Sequence, residues 1–159
     1  MQSDERPVRN PFAGNGRYRC FGCDPDHPGG LRLTFTRTDT TVRSVWQPGP
    51  HVEGYPGVVH GGIQATLADE IGSWFLYAIV GTAGVTTDLS IGFLQTARVD
   101  DGPFELIASA RDIDDKRATV RVELRNAAGT LCATATCTYA LFSEHVARKR
   151  FDFPGRDAF

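Results

Sequence analysis

The segment best suited to chemistry is a glycine-rich turn that opens directly into a helix, Gly-Val-Val-His-Gly-Gly at residues 57–62. Glycines in such a turn let another group approach the backbone. The first amides of a helix have no intrahelical acceptor, and they carry the positive end of the helix dipole. The amides of this turn are therefore suited to holding a developing oxyanion.

Asp69 is the first carboxylate on the predicted helix. It lies four residues after Ala65, with Gly72 and Ser73 one turn further on, so it faces a stripe of small residues. Such a stripe leaves room for a substrate or for a second subunit, and desolvation there makes a carboxylate a better nucleophile or base. Spacing alone also fits a solvated or paired surface acid, which is the commoner role of a helix carboxylate.

Two neighbouring side chains also have structural alternatives. His60 precedes two glycines and could transfer a proton or simply bond the backbone of the turn. Glu70 offers a second carboxylate, but adjacent helix positions diverge by about 100°, so it does not easily share a site with Asp69.

A helix and an antiparallel sheet are predicted to position these residues. After a loop rich in Pro and Gly at 48–57, apolar residues recur at helical spacing over 63–80. Alternating or β-rich stretches predict a hairpin at 31–36 and 42–46 and strands at 85–94, 104–113, 118–126 and 131–142. Short turns between the late strands favour a meander, hence one α+β domain with an early strand at an exposed edge. Exposed edges favour dimerisation.

Composition and charge narrow the class of protein. The 159 residues carry 17 basic and 19 acidic side chains, and they form no basic stripe that could hold a nucleic acid. No segment approaches the about 18 to 20 apolar residues of a bilayer span, and no signal peptide is evident, so we expect a cytoplasmic protein without membrane contact. We expect an N-terminal arm at 1–19, one domain at 20–143 and a frayed tail at 144–159.

The four cysteines are interpreted as structural. Cys20-x-x-Cys23, with His27 four residues later, has the spacing of half a zinc site, but the second half is missing. Cys132 and Cys137 lie five apart on a predicted strand, which places their side chains on opposite faces. We therefore expect no metal and no other cofactor, and a packed loop around Cys20 and Cys23.

Several motifs together resemble the PaaI-like hotdog thioesterases. The resemblance covers residues 20–142 and rests on His-Gly-Gly at 60–62, Leu-Ala-Asp at 67–69, a Thr-x-Asp-Leu-x-Ile type of strand around 87–91, and Cys-Phe-Gly-Cys at 20–23 followed by Pro-x-Gly-Leu at 28–31. It implies a hotdog fold, in which a curved antiparallel sheet wraps a long helix and two subunits join their sheets. The expected assembly is a homodimer or a dimer of dimers, with active sites at the interface.

The resemblance also assigns roles. The Gly61 amide would polarise a thioester carbonyl, and Asp69 of the opposite subunit would act as nucleophile or as base for a water. Thr86 would place that water. Asp88, which alternation puts on the same face of the strand, is a secondary candidate. His60 completes the expected catalytic set.

Substrate binding is assigned to Gly54, Gly62, Glu70 and Asp88. Gly54 departs from the pattern, because several relatives have Asn there, and His51 or Glu53 could supply a polar group instead. The expected substrate is an acyl-CoA or acyl-pantetheine whose acyl group remains open. The alternative is a non-catalytic module that binds acyl-CoA or a lipid-like ligand.

Overall fold

The computed structural model describes residues 4–159 and contains one seven-stranded antiparallel sheet. Its strands, in chain order, are β1 (Arg6–Val8), β2 (Phe35–Arg37), β3 (Thr41–Trp46), β4 (Gly84–Phe93), β5 (Phe104–Ile113), β6 (Arg117–Arg125) and β7 (Leu131–Leu141). Their spatial order is β1-β2-β3-β5-β6-β7-β4. The predicted α+β class is confirmed, and the four late strands begin and end within one residue of their predicted bounds.

The central helix α1 (Gly61–Phe75) lies against one face of the sheet and contacts β3 to β7. It begins two residues before the predicted start and continues through one π-helical turn, Leu76–Val80. Gly81, with φ 86°, ends it in a left-handed conformation that favours glycine. Leu67, Ile71 and Phe75 are fully buried, so the predicted apolar stripe is the face that packs on the sheet.

The sheet buries its inner face by alternation. Ala118, Val120, Val122 and Leu124 of β6 are buried, while the residues between them are half-buried or exposed. Burial of one face fixes the register, because a slip by one residue would expose the whole apolar set. This packing holds α1 in place over the sheet.

The first predicted hairpin strand is wrong over most of its length. Only Phe35–Arg37 pairs with β3, and the preceding residues run beside the cysteine loop instead. The amides of Leu31 and Leu33 donate to the carbonyls of Phe21 and Gly22, both at 2.8 Å. Leu31 and Leu33 are nevertheless buried. The alternating pattern therefore predicted correctly which side chains are buried, but not which backbone groups their amides bond to.

Both ends of the described chain are more ordered than the sequence predicts. Arg6–Val8, in the expected loose arm, pairs with β2 as an edge strand, whereas Met1 to Ser3 lie outside the described residues. The expected frayed tail forms α2 (Glu144–Phe151). Beyond it, Phe153 and Phe159 stack on Tyr77 at ring-centroid distances of 6.0 and 5.1 Å, and burial of these rings orders the tail.

The long open edge of the sheet is β4, not the early strand that the sequence predicts. β4 pairs with β7 on one side and is the last strand in the sheet order, and most of its ten residues are exposed. Val85 and Phe93 expose 41% and 54% of their surface. The early edge belongs to β1, which is only three residues long. A long, exposed edge with apolar side chains is suited to pairing with another chain.

Among the helices in residues 4–159, none is both long enough and apolar enough to cross a lipid bilayer.

Candidate active site

The start of α1 presents an unused backbone donor. The carbonyl of His60 accepts bonds from the amides of Ile63 and Gln64, and His60 Nδ1 accepts one from the Gly62 amide at 2.8 Å. Within the described residues, the Gly61 amide has no acceptor. Gly61 therefore offers the free helix-terminal N–H that the sequence predicts for an oxyanion. Gly62, in contrast, uses its amide to cap the helix.

His60 is the N-cap of α1, and its capping bond determines which ring nitrogen carries the proton. Because Nδ1 accepts the Gly62 amide, neutral His60 carries its proton on Nε2. The ring is exposed, so Nε2–H can donate to a ligand at the turn. Gly54 packs against it, since a Cβ at Gly54 would lie 3.2 Å from His60 Cδ2. The place that an Asn occupies in relatives is thus partly covered by the imidazole ring.

Two cavities border Gly61. One, of about 360 Å³, is walled by Val59, Gln64 and Phe93 among others. The other, of about 420 Å³, has Gly54, Tyr55 and His60 in its wall. The second cavity has the more apolar wall, and apolar surface beside a few polar atoms is typical of a site that accepts an acyl chain near a polar reacting group.

Gln64 belongs to this region, although the sequence analysis did not identify it. Its Nε2 donates to the carbonyl of Val59 at 3.1 Å, whereas its Oε1 is buried without a donor among the described residues. An unpaired buried amide oxygen is costly, and this one belongs to a residue that lines the cavity of about 360 Å³. The sequence feature that could have identified Gln64 is its polar amide on the buried helix face, which also carries Leu67, Ala68 and Ile71.

Asp69 lies about two turns after Gly61 on α1, and two hydroxyl groups bind it. Thr86 Oγ1, on β4, donates to Asp69 Oδ1 at 2.7 Å. Tyr139, on β7, donates to the backbone carbonyl of Asp69 at 3.0 Å and lies 3.4 Å from Oδ1. Among the described residues, the second carboxylate oxygen has no hydrogen-bond donor. The structure thus brings Asp69 and Thr86 together and leaves one oxygen of the half-buried carboxylate available for chemistry.

Tyr139 is a second residue that the sequence analysis missed. Burial raises the pKa of its hydroxyl far above the usual value, and the neighbouring Cys137 and Asp69 add to the effect, so the group stays a hydrogen-bond donor. Its ring lies against α1 at Gly72, where a Cβ would overlap the hydroxyl. The small residue at position 72 therefore makes room for Tyr139 and not for a ligand.

The predicted orientation of Asp88 is wrong. A register shift between Thr86 and Asp88 pairs Thr86 with Tyr139 but Asp88 with Thr138. Side chains that oppose each other across a ladder share a face, so the bulge at Thr87 turns Asp88 to the face opposite Thr86. A single inserted residue thus separates the two groups that simple alternation places together.

Glu70 points to a different part of the molecule from Asp69. Its Oε1 accepts bonds from Trp74 Nε1 at 3.0 Å and from Cys20 Sγ at 3.2 Å.

The prediction that the side chains of Cys132 and Cys137 lie on opposite faces of their strand is also wrong. Both are fully buried, because Cys132 occupies a bulge where the β6–β7 register shifts.

Gly61 and Asp69 of one chain are too far apart to act on one carbonyl. Eight residues separate them on the same helix, which corresponds to about 12 Å along its axis. Reacting groups must come within about 3 to 3.5 Å of the atoms they act on. The two cavities beside Gly61 have no wall from Asp69. A single chain therefore does not bring the Gly61 amide and the Asp69 carboxylate to the same carbonyl group.

Comparison with known proteins agrees with this fold. Residues 56–133, which contain Gly61, Asp69 and Thr86, match the family described as thioesterase superfamily. No curated protein sequence matches the chain significantly.

Several solved structures share the architecture. Zebra fish thioesterase superfamily member 2 is 25% identical with a TM-score of 0.65, over 74% of this chain and 90% of that one. A Streptococcus pneumoniae hypothetical thioesterase solved with coenzyme A is 24% identical with a TM-score of 0.62, over 67% and 84%. The PaaI protein of the E. coli phenylacetic acid degradation operon is 16% identical with a TM-score of 0.64, over 72% and 82%.

Proposed function

Because residues 56–133 match the thioesterase superfamily and the chain has the hotdog fold, we propose that it hydrolyses acyl thioesters of coenzyme A or of a pantetheine-bearing carrier. The observation that supports this proposal is the Asp69 carboxylate, of which Thr86 binds one oxygen while the other has no donor among the described residues. The first amide of the same helix likewise has no acceptor within residues 4–159. Coenzyme A is the ligand of one structural neighbour, the Streptococcus pneumoniae protein.

The chemistry needs a nucleophile and a place for negative charge. The free oxygen of Asp69 attacks the thioester carbonyl carbon, or takes a proton from a water that attacks it. Either attack converts the carbonyl oxygen to an oxyanion, which the Gly61 N–H stabilises together with the helix dipole. When the tetrahedral centre collapses, the carbon–sulfur bond breaks and the thiolate leaves. On the nucleophilic route, water then hydrolyses the acyl-Asp69 anhydride.

The two halves of the site are proposed to meet through a homodimer. β4 carries Thr86 and offers the long open edge of the sheet. Antiparallel pairing of β4 with its copy about a twofold axis sets two α1 helices side by side in opposite directions. The start of one helix then approaches the later turns of the other, which brings Gly61 of one chain toward Asp69 of its partner. The same pairing covers the exposed Val85 and Phe93.

A non-catalytic binding module is the second candidate, and Gly54 is the observation that favours it. Relatives that carry Asn at this position have an amide to place substrate or water, whereas here His60 covers the position. Binding of acyl-CoA needs the cavities beside Gly61 but no attacking group.

Thiol release from a panel of aliphatic and aromatic acyl-CoAs separates the two candidates. We expect turnover on at least one member of the panel, with KM in the usual micromolar-to-millimolar range of about 1 μM to 1 mM. Retained binding of acyl-CoA by calorimetry, without turnover on any member, would reject the hydrolase in favour of the binding module.

Thr86→Val is expected to lower kcat by about 10-fold, because it removes one hydrogen bond to a charged group while keeping the side-chain shape. Thr86 is exposed, so the fold should not change. Thr86→Ser is the matched control and should retain most of the activity, since it keeps the hydroxyl. Equal kcat values for the Val and Ser variants, measured by thiol release, would show that the bond to Asp69 does not contribute.

A further inference from the structure

The loop before the sheet places two thiols against Glu70. Cys20 Sγ donates to Glu70 Oε1 at 3.2 Å, and Cys23 Sγ donates to Cys20 Sγ at 2.7 Å. The Tyr18 hydroxyl lies 2.7 Å from Cys23 Sγ. The ligand atoms of the two cysteines and Glu70 all lie within 4.8 Å of one another. These three groups are the cysteine–glutamate cluster, which is separate from the Asp69 site.

Arg17 lines the cavity beside the cysteine–glutamate cluster, but no basic side chain of the described residues forms an ion pair with the cluster. Cys23 is buried, Cys20 and Glu70 are half-buried, and Glu70 forms no ion pair among residues 4–159. The Trp74 indole, a neutral donor, is its other hydrogen-bond partner. Burial, and then the Glu70 carboxylate, raises the pKa of the nearby Tyr77 hydroxyl to about 12, so Tyr77 is a neutral neighbour of the cluster. A cation would compensate this concentration of acidic groups.

We propose that Cys20, Cys23 and Glu70 bind a divalent transition-metal ion of the zinc type, which ties the cysteine loop to the central helix. Two thiolates and a carboxylate are a ligand set that zinc accepts, and thiolates select against magnesium and calcium. Three protein ligands leave the fourth tetrahedral position for a water or for the Tyr18 hydroxyl. Zinc–sulfur bonds of about 2.3 Å set the two sulfurs roughly 3.8 Å apart, so the thiolates must separate by about 1 Å on binding.

The local backbone suits this ligand set. The amide of Cys23 donates to Cys20 Sγ at 3.3 Å, a bond that stabilises a ligating thiolate. A Cβ at Gly22 would lie 2.5 Å from the Glu70 side chain, so the glycine between the cysteines allows the carboxylate to approach. Ligands that are 50 residues apart in sequence are thereby placed in one cluster.

The open ligand position faces a cavity. The cavity has a volume of about 300 Å³ and is walled by Tyr18, Cys20, Cys23, Glu70, Ser73 and Tyr77, among others. It has room for a metal-bound water, which needs polar partners and about 30 Å³. His27 is not part of the cluster, because its Nδ1 accepts the Gly29 amide at 3.2 Å and its ring packs on Phe21.

The expectation that no metal binds was based on cysteine and histidine ligands alone. The missing ligand is a carboxylate on the central helix, and only the fold brings it to the Cys-x-x-Cys loop. Metal binding is measured without turnover, so its outcome is independent of the proposed hydrolase activity.

The test is a titration of the reduced 159-residue protein with Co²⁺, followed by displacement with Zn²⁺. We expect a thiolate-to-cobalt charge-transfer absorption that saturates at one ion per chain and disappears on addition of Zn²⁺. Zinc should also raise the thermal unfolding midpoint, since an ion that binds only the folded state stabilises it. Absence of the charge-transfer band with both thiols reduced would overturn the proposal.

Variants show which residues bind the ion. Cys20→Ala and Glu70→Gln should each weaken Co²⁺ binding by at least about 10-fold. Glu70→Gln keeps an oxygen that can accept the Trp74 bond, so its circular dichroism should match that of the wild type. Cys132→Ala is the matched control, because it removes another thiol and should leave the titration unchanged. A band that persists in Cys20→Ala, or that Cys132→Ala abolishes while the protein stays folded, would contradict the assignment.

Discussion

Asp69→Asn should lower kcat for thioester hydrolysis by about 100-fold or more, with a smaller effect on KM. The change keeps the size of the side chain and the acceptor for Thr86, but the amide can neither attack the carbonyl nor accept a proton from water. The Tyr139 bond to the Asp69 backbone is unaffected, so α1 should remain in place. Thiol release under saturating acyl-CoA measures the effect, and thermal unfolding reports on the fold.

Asp88→Asn is the matched control for this loss. It makes the same chemical change on the neighbouring strand, but the bulge at Thr87 directs Asp88 to the face away from Asp69. We expect its kcat to stay within about 3-fold of the wild type, as for a surface change away from the reacting groups. Loss of activity in Asp88→Asn with normal activity in Asp69→Asn would transfer the chemical role to Asp88.

Gly61→Pro should lower kcat by about 100- to 1,000-fold, the usual effect of losing one oxyanion donor. Proline removes the backbone N–H and is tolerated at the first position of a helix. His60 already has φ −57° and ψ 135°, an extended conformation suited to a residue before proline. Because the Gly61 amide makes no bond within the described chain, its removal should leave folding intact.

Gly61→Ala separates loss of the donor from added bulk. Both variants place a Cβ at about the same position, 3.3 Å from the Phe93 ring, so the crowding at that ring is matched. Only the proline lacks the N–H. We therefore expect Gly61→Ala to keep most of its kcat. If the two variants lost activity equally, crowding at the turn and not the amide would explain the loss.

The sequence was sufficient to predict the elements that bury one face. The helix and the late strands follow from apolar periodicity, because an amphipathic segment must place its apolar side on the core. The segment around Leu31 and Leu33 shows the limit of that reasoning. Its alternation is real and its side chains are buried, but its amides bond to the cysteine loop, a partner that no local pattern identifies.

The site was predictable where it depends on local structure. The Gly61 amide, which has no acceptor among the described residues, follows from a glycine turn that opens into a helix. The bond from Thr86 to Asp69 was not predicted, because the resemblance assigned Thr86 only to placing a water. Asp88 was misplaced because one bulge inverts all later alternation on the strand. Tyr139 could not be identified, because it reaches Asp69 from 70 residues away.

The cysteine–glutamate cluster shows the same limit at longer range. Cys20 and Cys23 were recognised by their spacing, whereas Glu70 was assigned to the substrate because it adjoins Asp69 in sequence. The direction of each side chain on the helix separates the two acids: Asp69 bonds to Thr86 and Glu70 to Cys20. Ligand sets that combine a loop with a distant helix become visible only in the folded chain.

The most direct test of the two-chain active site is a heterodimer of Gly61→Pro and Asp69→Asn chains, isolated with two different affinity tags. If each site takes Gly61 from one chain and Asp69 from the other, one of the two symmetric sites is intact, and the heterodimer should show about half of the wild-type turnover while both homodimers stay inactive. If the heterodimer is as inactive as the two homodimers, the sites are not shared between chains and the proposed mechanism is contradicted.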